Sequence, residues 1–460
     1  MSLPPADLTP FIQRRERLQQ YMRSLGGGIA VLPTAPEAVR SRDSEFPYRF
    51  DSDFFYLTGF TEPDAWLVLL AGERDASILF CRERHEEQET WTGHRFGPEA
   101  AAARFGFDEA YAVDRLDTLL PALLSDQPTL FAPLQAGGPL GERLARALDT
   151  ARQQARGQHQ TPARQIDPRP RLADMRLVKD ASEIALMRRA ARISAGAHAR
   201  AMRHVRPGMH EYEIEAELLH EFRRHGAQSV AYASIVAAGA NACTLHYPAG
   251  DAVLRDGQLL LIDAGCEYDG YAADITRTFP VNGRYSGPQR ALYDLTVAAQ
   301  DAACAAIRPG AGFNDGHEAA VRVLAQGMID EGLLQGSLDG VLESKAYNRF
   351  YMHRTGHWLG LDVHDVGDYR EPALPDDEVG SDRADRTDGA RERPWRVLER
   401  GMMLTVEPGI YVRGAADVPK EFWDIGIRTE DDALVTEEGC ELITRGVPVH
   451  AGEIEALMRE

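Results

Sequence analysis

The chain has 460 residues, of which 44% are hydrophobic and 27% are charged, and its formal net charge is −20 at pH 7. This composition is typical of a soluble globular protein, and the length favours two domains over a single core. The acidic excess argues against nucleic acid or an anionic membrane as the main partner.

The N-terminal third has the pattern of a complete α/β unit. Residues 8–22 are helical in pattern, and "GGGIAVLP" and "DAWLVLLAG" are typical of apolar strands. A further amphipathic helix is predicted in "GERLARALDTARQQA". A Pro- and charge-rich stretch that begins near residue 165 is typical of a linker. We therefore expect a first domain over residues 1–172 and a second over residues 173–460.

Two features bear on the cellular compartment. The first residues, "MSLPPADLTPFIQRRERLQQ", lack the basic and then apolar order of a signal peptide, and no stretch approaches the length of a membrane span. The five cysteines are scattered without a C-x-x-C pair, which favours free thiols in a reducing compartment over disulfides or a zinc cage. We expect a cytoplasmic protein with no membrane partner.

Two helices open the second domain. Asp180 can cap the first, Glu183 completes a capping box, and Pro207 stops the helix. The second, "HEYEIEAELLHEFRRHG", has one apolar stripe and nearly contains the helical zinc motif H-E-x-x-H. Its His220 and His225 are five positions apart and point about 140° away from each other, which excludes a shared metal ion.

A hairpin with two aspartates inside its strands follows. In "LLLIDAGCEYDGYAADITRTF" (residues 259–279), Asp263 and Asp274 stand where packing alone favours valine or isoleucine. If the turn is symmetric about Tyr268 and Asp269 and no bulge intervenes, the two aspartates are directly opposed, with Cβ atoms about 4.5–5.5 Å apart. Buried carboxylates that close repel, so either one keeps its proton or a cation lies between them. The alternative is a pair of solvated aspartates at a strand edge.

Three later segments also place polar side chains in apolar surroundings: "HRTGHWLGLDVHD" at 353–365, "GMMLTVEPGIY" at 401–411 and "DIGIRTEDDALV" at 424–435. The side chains concerned are His353, His357, His364, Glu407, Arg428 and Glu430. Each alone has a structural alternative, because a histidine in a Gly-rich loop is usually hydrogen-bonded and a buried glutamate usually pairs with an arginine.

Together with the hairpin, these segments gather four carboxylates and several histidines. Burial of such groups without partners costs on the order of several kcal/mol each. We therefore predict a pair of divalent ions about 3.5–4 Å apart. An oxygen-rich donor set with one imidazole and no thiolate favours Mn²⁺, Fe²⁺, Co²⁺ or Zn²⁺ over a structural zinc site.

A charged stretch, "EPALPDDEVGSDRADRTDGARERPW" at about 371–395, separates the histidines from Glu407. It is low in apolar residues and dense in both charges, which predicts a mobile surface insertion. The insertion leaves the candidate ligands intact and concerns only the rim of the predicted site.

The motifs "DAGCEYDGYAADITRTFPV", "HRTGHWLGLDVHDVGDY", "MMLTVEPGIY" and "GIRTEDDALVT" resemble those of the metallopeptidases with the pita-bread fold. That family includes methionine aminopeptidase, prolidase and bacterial aminopeptidase P, and "FPYRFDSDFFYLTGFTEPDAWLVLL" is similar to the N-terminal domain of the last. The resemblance implies an α+β (mixed α/β) protein. Its N-terminal α/β domain would serve oligomerisation and substrate access, and its C-terminal pita-bread domain would be catalytic.

The resemblance also implies roles for individual residues. The ligands of two metal ions, most simply Mn²⁺, would be Asp263, Asp274, His357, Glu407 and Glu430. Asp274 and Glu430 would bridge the ions, and Glu407 would also accept the proton of the attacking water. The implied substrate-contacting or proton-handling residues are His246, His353, His364, Tyr411, Arg428 and Trp91, the last of which would overhang the active site of a neighbouring subunit.

The function implied by the resemblance is hydrolysis of the bond before a penultimate proline by a hydroxide that bridges the ions, in a homodimer or homotetramer. Prolidase shares all five ligands and is the main alternative. Glu430 follows Glu407 by 23 positions, which favours aminopeptidase P, whereas Glu407 follows His357 by 50, longer than expected because of the insertion. A metal-free binding module or a creatine amidinohydrolase is a further alternative, although such relatives usually lose ligand carboxylates.

Overall fold

The structure is a computed structural model that describes residues 7–134, 138–155, 157, 159–372 and 393–460. The chain divides into two compact units, Met1–Met175 and Arg176–Glu460. Both contain helices and strands, so the mixed α/β class predicted from the sequence is confirmed. The roles expected for residues 1–172, oligomerisation and substrate access, stay predictions.

The first unit is built on one mixed sheet. Its helices are α1 (Thr9–Ser24), α2 (Ser52–Thr58), α3 (Glu86–Thr92), α4 (Gly97–Phe105), α5 (Leu116–Leu124), α6 (Gly138–Ala155) and α7 (Arg169–Leu177), which continues into the second unit. Its strands are β1 (Gly28–Pro33), β2 (Val39–Ser41), β3 (Ser44–Glu45), β4 (Trp66–Ala71), β5 (Ala76–Cys81), β6 (Glu109–Ala112), β7 (Thr129–Phe131) and β8 (Arg164–Ile166). Six strands pair in the order β6-β5-β4-β1-β7-β8. Continuous burial along β1 and β5 explains why both strands are apolar runs.

The second unit contains the polar segments singled out above. Its helices are α8 (Ala181–His204), α9 (Glu211–Arg224), α10 (Gly287–Ala306), α11 (Asp315–Asp330), α12 (Leu338–Ser344) and α13 (Ala451–Arg459). Its strands are β9 (Ser229–Val230), β10 (Ile235–Ala238), β11 (Leu259–Asp263), β12 (Cys266–Tyr268), β13 (Tyr271–Ala272), β14 (Thr276–Pro280), β15 (Met403–Val406), β16 (Gly409–Val412), β17 (Ile425–Arg428), β18 (Asp431–Val435) and β19 (Cys440–Leu442).

These strands form small sheets that are linked at the polar segments. The sheets are β10-β11-β14, β13-β12-β9, β15-β18-β19 and the pair β16-β17. Isolated bridges join Thr276 to Glu430 and Trp358 to Leu404. One buried apolar cluster, which includes side chains of α8, α9, α10 and α11, packs beneath them. The hairpin, the histidine segment and the two glutamate segments are therefore neighbours in space.

The predicted capping box at the start of α8 is confirmed. The carboxylate of Asp180 accepts the backbone N–H groups of Ser182 and Glu183 at 2.8 and 3.0 Å. The side chain of Glu183 accepts the N–H of Asp180 in return, at 2.9 Å. Within the described ranges, no helix is long and apolar enough to cross a membrane. All five cysteines lie in the described part of the chain and are free thiols.

The predicted register of the aspartate hairpin is wrong. The turn is centred on Asp269 and Gly270, which both have positive φ, and not on Tyr268 and Asp269. Asp263 therefore pairs with Thr276 and not with Asp274. The position opposite Asp274 is Gly265. An added Cβ at Gly265 would lie 1.6 Å from the carbonyl oxygen of Ala273, so only glycine fits there.

The charged insertion expected at 371–395 lies mostly outside the described residues, which omit 373–392. Its two ends are described and pair with each other. Arg370 and Trp395 form an antiparallel bridge, and the N–H of Glu371 donates to the carbonyl of Pro394 at 2.9 Å. The insertion thus leaves and rejoins the second unit at one place, and its mobility stays a prediction.

Candidate metal centre

The five predicted ligands come from strand ends of the second unit. Asp263 ends β11, Asp274 precedes β14, and His357 precedes the bridge that holds Trp358 to β15. Glu407 lies between β15 and β16, and Glu430 between β17 and β18. Asp263 is the last residue of β11, and the other four ligands lie outside the strands.

Three of these side chains converge closely enough to share one ion. Ligand atoms of Asp274, His357 and Glu430 all lie within 4.8 Å of one another. The imidazole Nε2 of His357 is also 3.7 Å from a carboxylate oxygen of Glu407. The N–H of Glu430 donates to the carbonyl of Thr276 at 3.0 Å, which ties the Glu430 segment to the hairpin.

Asp263 and Asp274 meet at the hydroxyl of Tyr232. That hydroxyl donates to Asp263 Oδ1 at 2.5 Å and also contacts Asp274 Oδ1. One hydroxyl carries one proton, so it cannot satisfy both carboxylates at once. Asp263 has a second partner, because Arg428 Nη2 donates to its Oδ2 at 2.6 Å. The two carboxylates thus converge as predicted, although their strands do not pair them directly.

The carboxylates differ in how their charge is supported. Burial opposes ionisation of Asp263, but the charge of Arg428 and the hydrogen bonds from Tyr232 and Arg428 together outweigh it and lower the pKa of Asp263. Burial and the charge of Asp263 raise the pKa of Asp274. Burial raises the pKa of Glu407 to about 7, and burial together with Asp274 and Glu407 raises the pKa of Glu430 well above its usual range. These groups repel one another, and a cation between them would stabilise their ionised forms.

His357 is oriented to offer Nε2 to the cluster. Its Nδ1 lies 2.9 Å from the carbonyl oxygen of Trp358, so in the neutral form of the ring the proton is on Nδ1 and the lone pair is on Nε2. Nε2 is 3.5 Å from Asp274 Oδ2. Burial alone would lower the pKa of His357, but contact with Asp274 and the charge of Glu407 raise it to about 9. An imidazole held in this way is a ready metal ligand.

A hydrogen-bonded chain leads from Asp263 to His353. Arg428, which holds Asp263, donates from Nη1 to the hydroxyl oxygen of Tyr411 at 2.9 Å. That hydroxyl lies 2.8 Å from His353 Nε2, while His353 Nδ1 lies 2.8 Å from the carbonyl of Arg354. Nδ1 therefore donates, Nε2 accepts from Tyr411, and burial and Arg428 lower the pKa of His353 to about 3. The structure thus brings these three predicted pocket residues together beside the cluster.

The remaining predicted residues lie at different distances from the cluster. His364 is exposed, and its ring centroid is 4.2 Å from that of His357. Burial and the charges of His357 and His246 lower the pKa of His364. Trp91 lies on α3 in the N-terminal unit with 84% of its surface exposed.

Several residues of the site were not predicted. Thr276 donates to Glu430 at 2.6 Å, and Thr405 donates to Glu407 at 3.3 Å and accepts the N–H of His357. Both stand two residues from a ligand, so strand alternation is a signal that would have found them. Asp432, whose carboxylate accepts the N–H of Asp274 at 3.2 Å, stands two residues from Glu430 and has the same signal, whereas Tyr232 has none.

The donor set fits hard or borderline divalent ions. Four carboxylates and one neutral imidazole Nε2 suit Mn²⁺, Fe²⁺, Co²⁺ and Zn²⁺. The raised pKa values of Asp274 and Glu430 show that the cluster lacks enough positive charge of its own. Metal binding would replace the protons that the cluster otherwise retains.

We expect the metal-free protein to lose stability as the pH rises from about 7 to about 9. The pKa of His357 is about 9 in the folded chain and ordinarily 6.5, so its stabilising contribution is complete below 6.5 and lost through about 9. Melting temperatures of chelated and Mn²⁺-loaded protein at both pH values measure the effect. Both samples have the same other titratable groups, so a difference between them is due to the metal centre. An equal change of melting temperature with pH in both samples would contradict the expectation.

Comparison with known proteins shows similarity along the whole chain. A sequence model of metallopeptidase family M24 matches residues 185–437, and a model of the aminopeptidase P N-terminal domain matches residues 11–131. The chain is 43% identical to the Xaa-Pro aminopeptidase of Escherichia coli strain K12 over 97% of both chains. It is 42% identical to the Xaa-Pro aminopeptidase of Haemophilus influenzae, over 97% of this chain and 96% of that one.

Solved structures show the same similarity. Aminopeptidase PepP from Pseudomonas aeruginosa matches with a TM-score of 0.92 at 46% identity, over 99% of both chains. Zn-substituted aminopeptidase P from Escherichia coli, in complex with product, matches with a TM-score of 0.90 at 42% identity, over 98% of both chains. The region matched by the M24 model includes all five predicted ligands.

Proposed function

The chain belongs to metallopeptidase family M24 and acts as an Xaa-Pro aminopeptidase, and we propose that two divalent ions bound at the centre described above carry out the reaction. The observation that supports this proposal best is the convergence of ligand atoms of Asp274, His357 and Glu430. The proposed ligands are Asp263, Asp274, His357, Glu407 and Glu430. The predicted fold, an N-terminal α/β domain before a pita-bread domain, is confirmed by the same comparisons.

Asp274 and Glu430 are the proposed bridging carboxylates. Both are deeply buried, and burial and the neighbouring carboxylates raise the pKa of each. Thr276 holds one oxygen of Glu430, and Asp432 holds the backbone N–H of Asp274. Bound ions would supply neutralisation of these charges and activation of a water molecule.

Glu407 is the proposed proton acceptor. Burial raises its pKa to about 7, which suits a group that takes up and returns a proton near neutral pH. Thr405 donates to Glu407 Oε1 at 3.3 Å, and Oε2 lies 3.7 Å from His353 Nδ1. Thr405 therefore orients the carboxylate through Oε1, and the carboxylate would receive the proton of the attacking water as the scissile carbonyl is attacked.

A set of histidines and Arg428 would form the substrate pocket. Proline at the second position offers no N–H and has a fixed φ, so a peptidase that grips that N–H cannot use such a substrate. His246 and His364 can instead donate or accept at the carbonyl, while His353, whose two nitrogens are already hydrogen-bonded, can contact the ring. The chain from His353 through Tyr411 to Arg428 keeps this wall in place.

Further proposals concern the identity of the ion, the oligomeric state and the cellular compartment. Mn²⁺ is our first choice of ion, with Co²⁺, Zn²⁺ and Fe²⁺ as alternatives, because the proposed donor set is rich in oxygen. We propose a homodimer or homotetramer in which Trp91, exposed on α3, overhangs the site of a neighbouring subunit. A cytoplasmic location is supported by five free cysteines.

A peptide panel tests the activity and separates it from that of prolidase. Metal-free protein is supplied with Mn²⁺, Co²⁺ or Zn²⁺ and offered Gly-Pro, Gly-Pro-Pro and longer Xaa-Pro peptides. We expect cleavage of the longer peptides after the first residue and weak use of the dipeptide, with two metal equivalents bound by the active protein. Strict use of Gly-Pro would contradict an aminopeptidase, and full activity after chelation would contradict the metal centre.

A further inference from the structure

A buried carboxylate outside the metal centre holds the chain segment that carries His246. Glu211 is the first residue of α9 and is fully buried. Its carboxylate accepts hydrogen bonds from four donors, all of which lie between residues 238 and 250. A carboxylate has about four lone-pair positions, so this set of donors matches its capacity. His246 lies inside the segment that these bonds close.

Each carboxylate oxygen receives one backbone and one side-chain donor. Oε1 accepts the N–H of Ala238 at 2.8 Å and Asn241 Nδ2 at 2.9 Å. Oε2 accepts the hydroxyl of Tyr247 at 3.0 Å and the N–H of Gly250 at 3.2 Å. Asn241 Nδ2 also donates to the hydroxyl oxygen of Tyr247 at 3.0 Å, which links the two sides. The two ends of the loop are thus fixed to a single side chain.

The opposite side of the loop rests on the strands of the site. Residues Gly239–Cys243 form a short 3-10 turn that packs against β17, the strand that ends in Arg428. Gly426 of β17 approaches so closely that an added Cβ would lie 2.5 Å from the carbonyl carbon of Ala242. Arg413 donates to the carbonyl of Cys243 at 2.8 Å. The loop is therefore clamped between Glu211 and the strand that supports the metal centre.

We propose that Glu211 is a positioning residue for hydrolysis, which fixes the 238–250 loop so that His246 faces the scissile peptide bond. This inference rests on the role proposed for His246. The side chain of His246 is itself exposed, so the loop around it must supply the order that the imidazole needs. Misplacement of a substrate-contacting group by about 1 Å can cost about a hundredfold in rate.

The variant Glu211→Gln tests the clamp with little change of shape. Each oxygen of Glu211 holds one backbone N–H, and a glutamine amide has one oxygen and one NH₂ group. Whichever way the amide turns, the N–H of Ala238 or of Gly250 faces a donor. We expect segment 238–250 to exchange its amide hydrogens about tenfold faster, and kcat/KM for an Xaa-Pro peptide to fall about tenfold to a hundredfold.

Glu213→Gln is the matched control. Glu213 lies in the same first turn of α9 and accepts the N–H of His210 at 2.7 Å, outside the loop. It should leave the exchange of segment 238–250 and the kinetics unchanged. Tyr247→Phe provides a milder variant if Glu211→Gln folds poorly, because it removes one of the four donors. Unchanged loop exchange in both loop variants would overturn the proposal.

A double-mutant cycle with His246→Ala separates positioning from general damage. If Glu211 acts through His246, adding Glu211→Gln to His246→Ala lowers kcat/KM no further, and bound metal stays at the wild-type level in all variants. Fully multiplicative losses would overturn the proposal. A different result is expected if His246 has no role in the reaction. His246→Ala would then keep wild-type activity, while the 238–250 loop of Glu211→Gln would still exchange its amide hydrogens faster.

Discussion

Replacement of Asp274 by alanine is expected to reduce hydrolysis of an Xaa-Pro peptide by at least roughly a thousandfold and to remove at least one metal equivalent. Asp274 is a proposed bridging ligand, and its carboxylate reaches both His357 and the hydroxyl of Tyr232. The measurements are the initial rate with saturating Mn²⁺ and the metal content of the dialysed protein. Full activity in the variant would refute the assignment.

Loss of the ligand can be distinguished from loss of the fold. Burial and the charge of Asp263 raise the pKa of Asp274, so this carboxylate is a source of repulsion when no metal is bound. Removing it should leave the melting temperature of the metal-free protein unchanged or raise it. Asp256→Ala, at an exposed position where the carboxylate accepts from Asn282 at 2.6 Å, serves as the control and should keep both metal and activity. A metal-free Asp274→Ala protein that melts well below the wild type would assign the loss to misfolding.

Local patterns predicted the elements but not their register. The Asp-Gly pair at 269–270 is the strongest short-range hairpin signal, because a type I′ turn needs positive φ at both positions. Asp269 and Gly270 have φ of 47° and 85°. The Asp-Gly pair therefore indicates the observed turn, whereas the prediction placed the turn one residue earlier. The error did not matter for the site, since the hydroxyl of Tyr232 contacts both carboxylates in the observed register.

Contacts between distant parts of the chain could not be predicted from periodicity. Asp432 reaches the backbone of Asp274 from another sheet, and nothing near either residue encodes that contact. The same is true of the ion pair between Arg277 and Asp431, in which both side chains are fully buried. Arg277 also donates to the carbonyl of Glu430 at 2.6 Å, so this pair supports a proposed ligand from behind. Periodicity within one segment does not show which side chain of a distant segment a residue contacts.

Replacement of Glu407 by glutamine is expected to lower kcat by about 10²–10⁴-fold with little change in KM. The amide keeps an oxygen that can coordinate a metal, but it cannot accept a proton at the pH of the reaction. Thr405 donates to Glu407 Oε1, so the amide oxygen can occupy the place of that carboxylate oxygen. The measurements are kcat, KM and bound metal, because a pure ligand role would lower metal content and activity together.

The outcome separates the two roles proposed for Glu407. Retention of both metal equivalents with a large fall in kcat assigns the proton transfer to Glu407, since only the accepting lone pair has been lost. The matched control is Glu399→Gln, at an exposed position eight residues earlier, which should change neither kcat nor metal content. A Glu407→Gln enzyme within tenfold of the wild-type kcat would show that another group accepts the proton. We would then test His364, whose ring lies beside that of His357, as the acceptor.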